Sequence, residues 1–271
     1  MAENEVVHVA IAPPATFNEE FVKKVAAIVG KTPYETRLRL TGKIPKIVAN
    51  CDTIQKAGST AQNLKELGLV VILFTESELN KPWQIFKAHS LKFEEQAITF
   101  FDRNGETRRM ESSEAFLILS AKMQAYTDTD VVQTKRKLNV TATLLTGGIP
   151  IMKKVKEKTT TRSYQTESFV RLYGRTSPEL AVQIRQHEFD YSFLDTEMAS
   201  SGAANFIIAI RKIKEAFPQT IFDDSLVEPF GASIPATMVQ ENIEANCKMI
   251  YWYRRAVSSA GTSIQVQQLK F

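Results

Sequence analysis

Residues 6–11 read V-V-H-V-A-I and residues 69–74 read L-V-V-I-L-F, two almost continuously apolar runs of strand length. Three helix-like segments lie between them with hardly a spare residue, so the order of elements from Val6 to Glu76 specifies a small α/β module. Pro13 and Pro14 close the first run. From Asn18 the period changes. Asn18 can cap a helix, Glu19 and Glu20 suit its first turn, and Phe21, Val22, Val25, Ile28 and Val29 recur at three and four residues up to Gly30. Thr32 and Pro33 open a second helix that runs through Leu38 and Leu40 to Gly42. Ile44, Ile47 and Val48 form a brief extended stretch, and a third helix from about Thr53 to Leu67 stops at Gly68. His8, alone within the first strand, is expected to be a packed side chain and not a ligand.

This order, with I-P-K-I-V-A-N before the third helix and L-K-E-L-G-L-V-V-I-L closing it, resembles the C-terminal domain of the bacterial ribosomal stalk protein L7/L12. The resemblance implies that fold for residues 1–79. It does not carry over the stalk protein's factor-binding surface, because Lys31 is the only basic side chain in Gly30-Lys31-Thr32-Pro33-Tyr34-Glu35.

Ser77 to Pro82 reads as a polar connector, and beyond it the period becomes two: Ile85, Phe86, Leu91, Phe93, Ile98 and Phe100 precede the hairpin signature Phe101-Asp102-Arg103-Asn104-Gly105. Further strand-like runs are Ala115 to Leu119, Ile151 to Val155, Ser168 to Tyr173 and Ala181 to Phe193. Ala203 to Phe217 is a helix with Phe206, Ile207, Ile210, Ile213 and Phe217 on one side. Antiparallel strands closed by a helix resemble the pleckstrin-homology architecture over residues 83–217, without a phosphoinositide signature. The whole chain also looks like a group of uncharacterised bacterial proteins in which R-Q-H-E-F-D-Y-S-F-L-D-T-E-M precedes the closing helix.

Pro218, Pro229 and Gly231 mark residues 218–234 as a linker. Residues 235–259 form an amphipathic helix striped by Val239, Ile243, Cys247, Ile250, Arg254 and Val257 and widened by Trp252 and Tyr253, and 260–271 are a tail. The fold class is therefore α+β: an L7/L12-like module, a pleckstrin-homology-like antiparallel β domain with its closing helix, and a C-terminal helix. That helix must pack on the chain itself, on a second copy to make a homodimer, or on a partner protein.

At 271 residues and 44% hydrophobic content the chain can bury one or two ordinary cores, and a net charge of +4 is too mild to argue for a nucleic-acid binder. Cys51 and Cys247 sit in no metal-ligand spacing and read as buried free thiols. The N-terminus is polar and acidic, and no run reaches the roughly 18–20 apolar residues of a membrane span. These features lead us to expect a cytoplasmic protein.

Lys135, Arg136, Lys137, Lys153, Lys154, Lys156, Lys158 and Arg162 gather between Thr134 and Ser163, with Glu157 the only acid. Such a cluster can hold phosphate groups by long-range attraction and charge-assisted hydrogen bonds, or serve only as the solvated face of a hairpin. No aromatic residue interleaves before Tyr164, which ranks anionic lipid above nucleic acid as the partner. His187, Glu188, Asp190, Asp195 and Glu197 could bind a metal or act as acid and base, but in a strand His187 would face away from Glu188 and Asp190. Gly147-Gly148 lacks the Lys-Ser/Thr of a phosphate loop, and Ser112, Ser113, Ser200 and Ser201 have no nucleophile context. The sequence thus reads as a non-enzymatic binding or scaffold protein without metal or cofactor, with an unidentified protein partner and peripheral contact with anionic lipid. The alternative is an enzyme with a metal or acid/base site near His187, Asp190 and Asp195.

Overall fold

The computed structural model describes residues 5–138, 152–227 and 243–260, apart from the side chains of 124–165, 179 and 260. Val7–Ile11 (β1), Glu19–Val29 (α1), Pro33–Leu40 (α2), Lys46–Cys51 (β2), Ile54–Glu66 (α3) and Val71–Thr75 (β3) follow one another in the expected order. Local chemistry sets their limits. Asn18 accepts a hydrogen bond from the Phe21 N–H at 2.9 Å, and Gly30 ends α1 at φ +65°. Thr32 and Glu35 form a capping box around Pro33, and Thr53 caps α3.

The three strands make an antiparallel sheet in the order β2-β1-β3. Val7, Val9 and Ile11 pack with Val22, Val25, Leu40 and Leu64 of the helices, while Ala10 of the same strand packs on the opposite side with Ile72, Phe74 and Met249. A central strand covered on both faces needs apolar side chains on both, which is the pattern of residues 6–11 apart from His8, whose ring nitrogens meet Asn50 and Glu76.

Ser77 to Pro82 is not simply a connector, because Thr75 and Glu78 form a second capping box and start the short helix Glu76–Asn80 (α4). The strands that follow are Phe86–Ala88 (β4), Ser90–Phe93 (β5), Ala97–Phe101 (β6), Thr107–Glu111 (β7), Ala115–Leu138 (β8), Met152–Gly174 (β9) and Val182–Arg185 (β10). Then come the helix Gly202–Ala216 (α5), the strand Ile221–Leu226 (β11) and the helix Ile243–Ala260 (α6). The strands β5-β6-β7 form one sheet and β11-β8-β9-β10-β4 another. The α+β class holds, but the second sheet is mixed: β10 pairs with β4, and β11 with β8, in parallel.

Two expectations are overturned. Residues 218–234 are not a linker throughout, since Ile221, Phe222 and Asp223 pair with Leu117, Ile118 and Leu119. The strand expected from Ala181 to Phe193 ends at Arg185, where the chain turns and continues as a 3₁₀ helix over Ser192–Glu197. The neighbouring residues Phe193 and Leu194 both pack in one core, which a strand with its alternating sides cannot achieve. The C-terminal helix begins, among the described residues, at Ile243, while 235–242 and the tail 261–271 lie outside them.

One core lies between the two sheets and α5, with Ile98 and Phe100, Val170 and Leu172, and Phe206 and Ile213 from the three layers. On the other face of the five-stranded sheet, Phe169 and Tyr173 meet Ile243, Cys247, Ile250 and Tyr251 of α6. Met249 and Trp252 of α6 also join the cluster of Ala10, Ile72 and Phe74. The expected modules 1–79 and 83–217 are thereby joined by α6 within one compact unit, residues 1–123 and 168–271. Residues 124–167, the second part of β8 and the first part of β9, form a separate compact unit.

Candidate functional site

The eight basic residues singled out in the sequence all belong to the unit 124–167. Lys135, Arg136 and Lys137 lie near the end of β8, and Lys153, Lys154, Lys156, Lys158 and Arg162 lie near the beginning of β9. Their side chains are outside the described residues. The backbone is two neighbouring strands of 24 and 23 residues, against a usual strand of roughly 5–6. Thr134 to Ser163 holds eight cations and one acid, leaving 26 basic against 29 acidic side chains in the rest of the chain. The net positive charge of the protein therefore resides entirely in this segment.

The acid and histidine set does not converge. Glu188 pairs with Arg185 at 2.6 Å. Asp190 accepts hydrogen bonds from the Ser192 N–H at 2.9 Å and Oγ at 2.8 Å, which hold its carboxyl below the usual carboxylate range. Glu197 pairs with Lys212 and, at 3.2 Å, with Arg211. Asp195 takes a positive φ of 45° in the turn ahead of α5, and His187 lies in the turn that ends β10. No group of three or more His, Cys, Asp or Glu side chains able to hold a metal ion occurs among the described residues. Ser201 is the cap of α5, and Gly147 and Gly148 lie outside the described residues. His8 is packed, with Nε2 2.5 Å from Glu76 Oε2 and Nδ1 3.0 Å from Asn50 Oδ1. Cys51 and Cys247 are buried free thiols.

Sequence reasoning missed a row of polar side chains built by strand register. Lys87 of β4 stands opposite Gln183 of β10, which stands opposite Arg171 of β9. The Arg171 side chain is 5% exposed. Its Nε donates to Gln183 Oε1 at 2.7 Å, and its two terminal nitrogens donate to the two carboxylate oxygens of Glu244 at the start of α6. Two residues further along β10, on the same face, Arg185 donates to Glu188 and, at 3.4 Å, to the thioether sulfur of Met123. Lys87, Met123, Arg171, Gln183, Arg185 and Glu244 line a cleft of about 210 Å³. Nothing short of the pairing register could have revealed it, because Lys87 and Gln183 lie 96 positions apart.

A larger, open cleft of about 530 Å³ separates α5 from β11 and is lined by Ile207, Ile210, Lys214 and Phe222. Lys214 covers the Phe222 ring at 3.9 Å from its centroid. No helix among the described residues is long and apolar enough to cross a membrane. No protein-family model, curated protein or solved structure matches the chain, so the sites are read from their own chemistry.

Proposed function

We propose that this is a non-enzymatic binding or scaffold protein that engages an anionic surface through the basic segments of β8 and β9. One observation carries the reading: the segment that holds the protein's whole positive excess sits on two paired strands in a compact unit of its own. Basic side chains near an anionic membrane contribute about 1 kcal/mol each, so a group of eight suffices for reversible attachment. Anionic lipid ranks first, since the segment from Lys135 to Arg162 offers no aromatic platform for bases. An acidic protein surface would use the same chemistry. On this reading the protein works in the cytoplasm, peripheral to a membrane. For the rival enzyme reading, Glu188, Asp190 and Glu197 near His187 are engaged in turn hydrogen bonds and ion pairs, which leaves His187 and Asp195 as the residues to test first.

The test is co-sedimentation with vesicles that do or do not contain anionic lipid, alongside DNA and RNA binding over a salt series. Binding restricted to anionic vesicles and weakened by salt is the expected result. Failure to bind them at low salt, or equal binding to neutral vesicles, overturns the proposal. Tighter binding to nucleic acid than to vesicles overturns the choice of lipid.

A further inference from the structure

We infer that attachment is one-sided: the face of β9 that carries Lys154, Lys156, Lys158 and Arg162 lies flat on an anionic lipid surface, with the opposite face turned from it. One-sided attachment rests on the membrane contact proposed for the basic segments and specifies its geometry.

Met152–Gly174 is one uninterrupted strand, and alternate positions of a strand share a face. Within the compact unit 124–167 that rule divides the charges of β9 unequally. Lys154, Lys156, Lys158 and Arg162 fall on one face with no acid among them, whereas Lys153 shares the other with Glu157 and Glu167. The two faces of β9 therefore carry +4 and −1. In β8, Lys135 and Lys137 share one face, and Arg136 shares the other with Asp128 and Asp130. Whichever of these adjoins the Lys154 face, that side of the ribbon keeps the greater positive charge. The strands β10 and β11 pair with residues 169–172 and 117–121, beyond this unit, so its described residues are β8 and β9 alone. At roughly 3.3 Å per residue the four cations spread over about 26 Å in steps of about 6.6 Å, with Thr160 filling the single gap. A small anion meets one or two such positions, while a plane of headgroups meets all four. Tyr164 stands on the same face, and tyrosine suits the level of lipid headgroups because its ring is apolar and its hydroxyl polar. A charge on the opposite face stands off by about 10 Å, the depth of one sheet with its residues, which exceeds the Debye length of about 8 Å at physiological salt.

The experiment sets one negative charge on each face in turn, in the full-length protein. Thr160→Glu puts it between Lys158 and Arg162, while Thr159→Glu and Thr161→Glu put the same charge on the opposite face. Partition is measured at physiological salt onto vesicles of an equal mixture of phosphatidylserine and phosphatidylcholine. The expected result is a loss of about fivefold in Thr160→Glu and of less than about twofold in the other two. A second readout adds no charge: Thr160→Cys and Thr161→Cys are each labelled with an uncharged, environment-sensitive fluorophore while Cys51 and Cys247 stay buried. The label at position 160 should shift to the blue when vesicles are added, and the label at position 161 should not. Equal losses in the three variants, or equal shifts of the two labels, would overturn the inference and leave the membrane contact standing. A native protein that does not bind these vesicles overturns both. Duplex DNA binding that weakens only in Thr160→Glu, with vesicle binding unmoved, assigns the face to nucleic acid and overturns the inference as well.

Discussion

Lys248 brings its ammonium group within 2.6 Å of the Leu79 carbonyl oxygen and 2.5 Å of the Lys81 carbonyl oxygen, with the Trp83 ring 5.4 Å away. These carbonyls lie at the end of α4, where a helix leaves acceptors without partners, so one cation from α6 satisfies them. Burial pushes the Lys248 pKa down from its ordinary value. Lys248→Met should cost about 1–3 kcal/mol in urea unfolding, because it leaves the partly buried carbonyls at the end of α4 without their donor. Asp223 is buried and bonded to Arg254 at 2.6 Å and to the Ser225 N–H at 2.9 Å. Arg254→Ala should fall at the lower end of the ~3–5 kcal/mol typical of a broken buried pair, since Ser225 still serves the carboxylate. Glu20→Ala, which removes only the exposed pair with Lys24, should leave the thermal midpoint unchanged. Burial pushes the Cys247 thiol from 9.0 up to about 12, and burial also raises the Tyr173 phenol. A raised folded-state value means that the fold holds protons which the unfolded chain has already released. The contribution of Cys247 is therefore intact below about pH 9 and is lost as pH climbs from there toward 12. An alkaline melting series checks this, and neither cysteine should react with a thiol reagent before unfolding.

At the scale of elements, α6 is decisive because it buries two stripes. Ile250 and Cys247 are closed off in the core beneath the five-stranded sheet, whereas Val257 remains 40% exposed. Ile250→Ala should therefore destabilise the protein by about 2–5 kcal/mol and Val257→Ala by well under 1, measured by denaturant unfolding. The longer helices were legible in the sequence because their limits rest on neighbours in the chain. Asn18 caps α1, Thr32, Pro33 and Glu35 open α2, and Gly30 and Gly68 adopt positive φ. The element β11 was not legible. Its I-F-D-D-S-L looks like polar linker beside Pro218 and Pro229, and Asp223 becomes tolerable inside only through Arg254, 31 positions later. The end of β10 was hidden for a related reason. Phe189, Tyr191 and Phe193 suit a strand, but Phe189 stacks edge-on with both Tyr191 and Phe193 in a turn whose Asp190 N–H donates to the distant His89 carbonyl. The Lys87, Gln183 and Arg171 row likewise exists only once three strands are in register.

For the whole molecule, the shared packing of α6 ties together stretches that read as separate modules, and Ile243, Cys247, Ile250 and Trp252 of its apolar face pack on the chain's own strands. Truncation after Ser225 removes that helix and should lower the melting temperature of the entire protein in a single transition, not of one module alone. The basic unit stands apart from this bookkeeping of cores, since residues 124–167 make up a compact unit of their own. Its charge was legible from composition, and its two long strands were only partly so, because the runs at Ala115 to Leu119 and Ile151 to Val155 give way to polar, threonine-rich sequence that shows no apolar alternation. The account's central claim is that this unit supplies the affinity for an anionic surface. The most direct measurement compares the native protein with the variant carrying Lys153→Glu, Lys154→Glu and Lys156→Glu for partition onto vesicles rich in anionic lipid, with thermal melting to show that the fold is kept. At about 1 kcal/mol per basic side chain, the account predicts a loss of roughly a hundredfold or more with an unchanged melting temperature. Equal partition of the two proteins would contradict it.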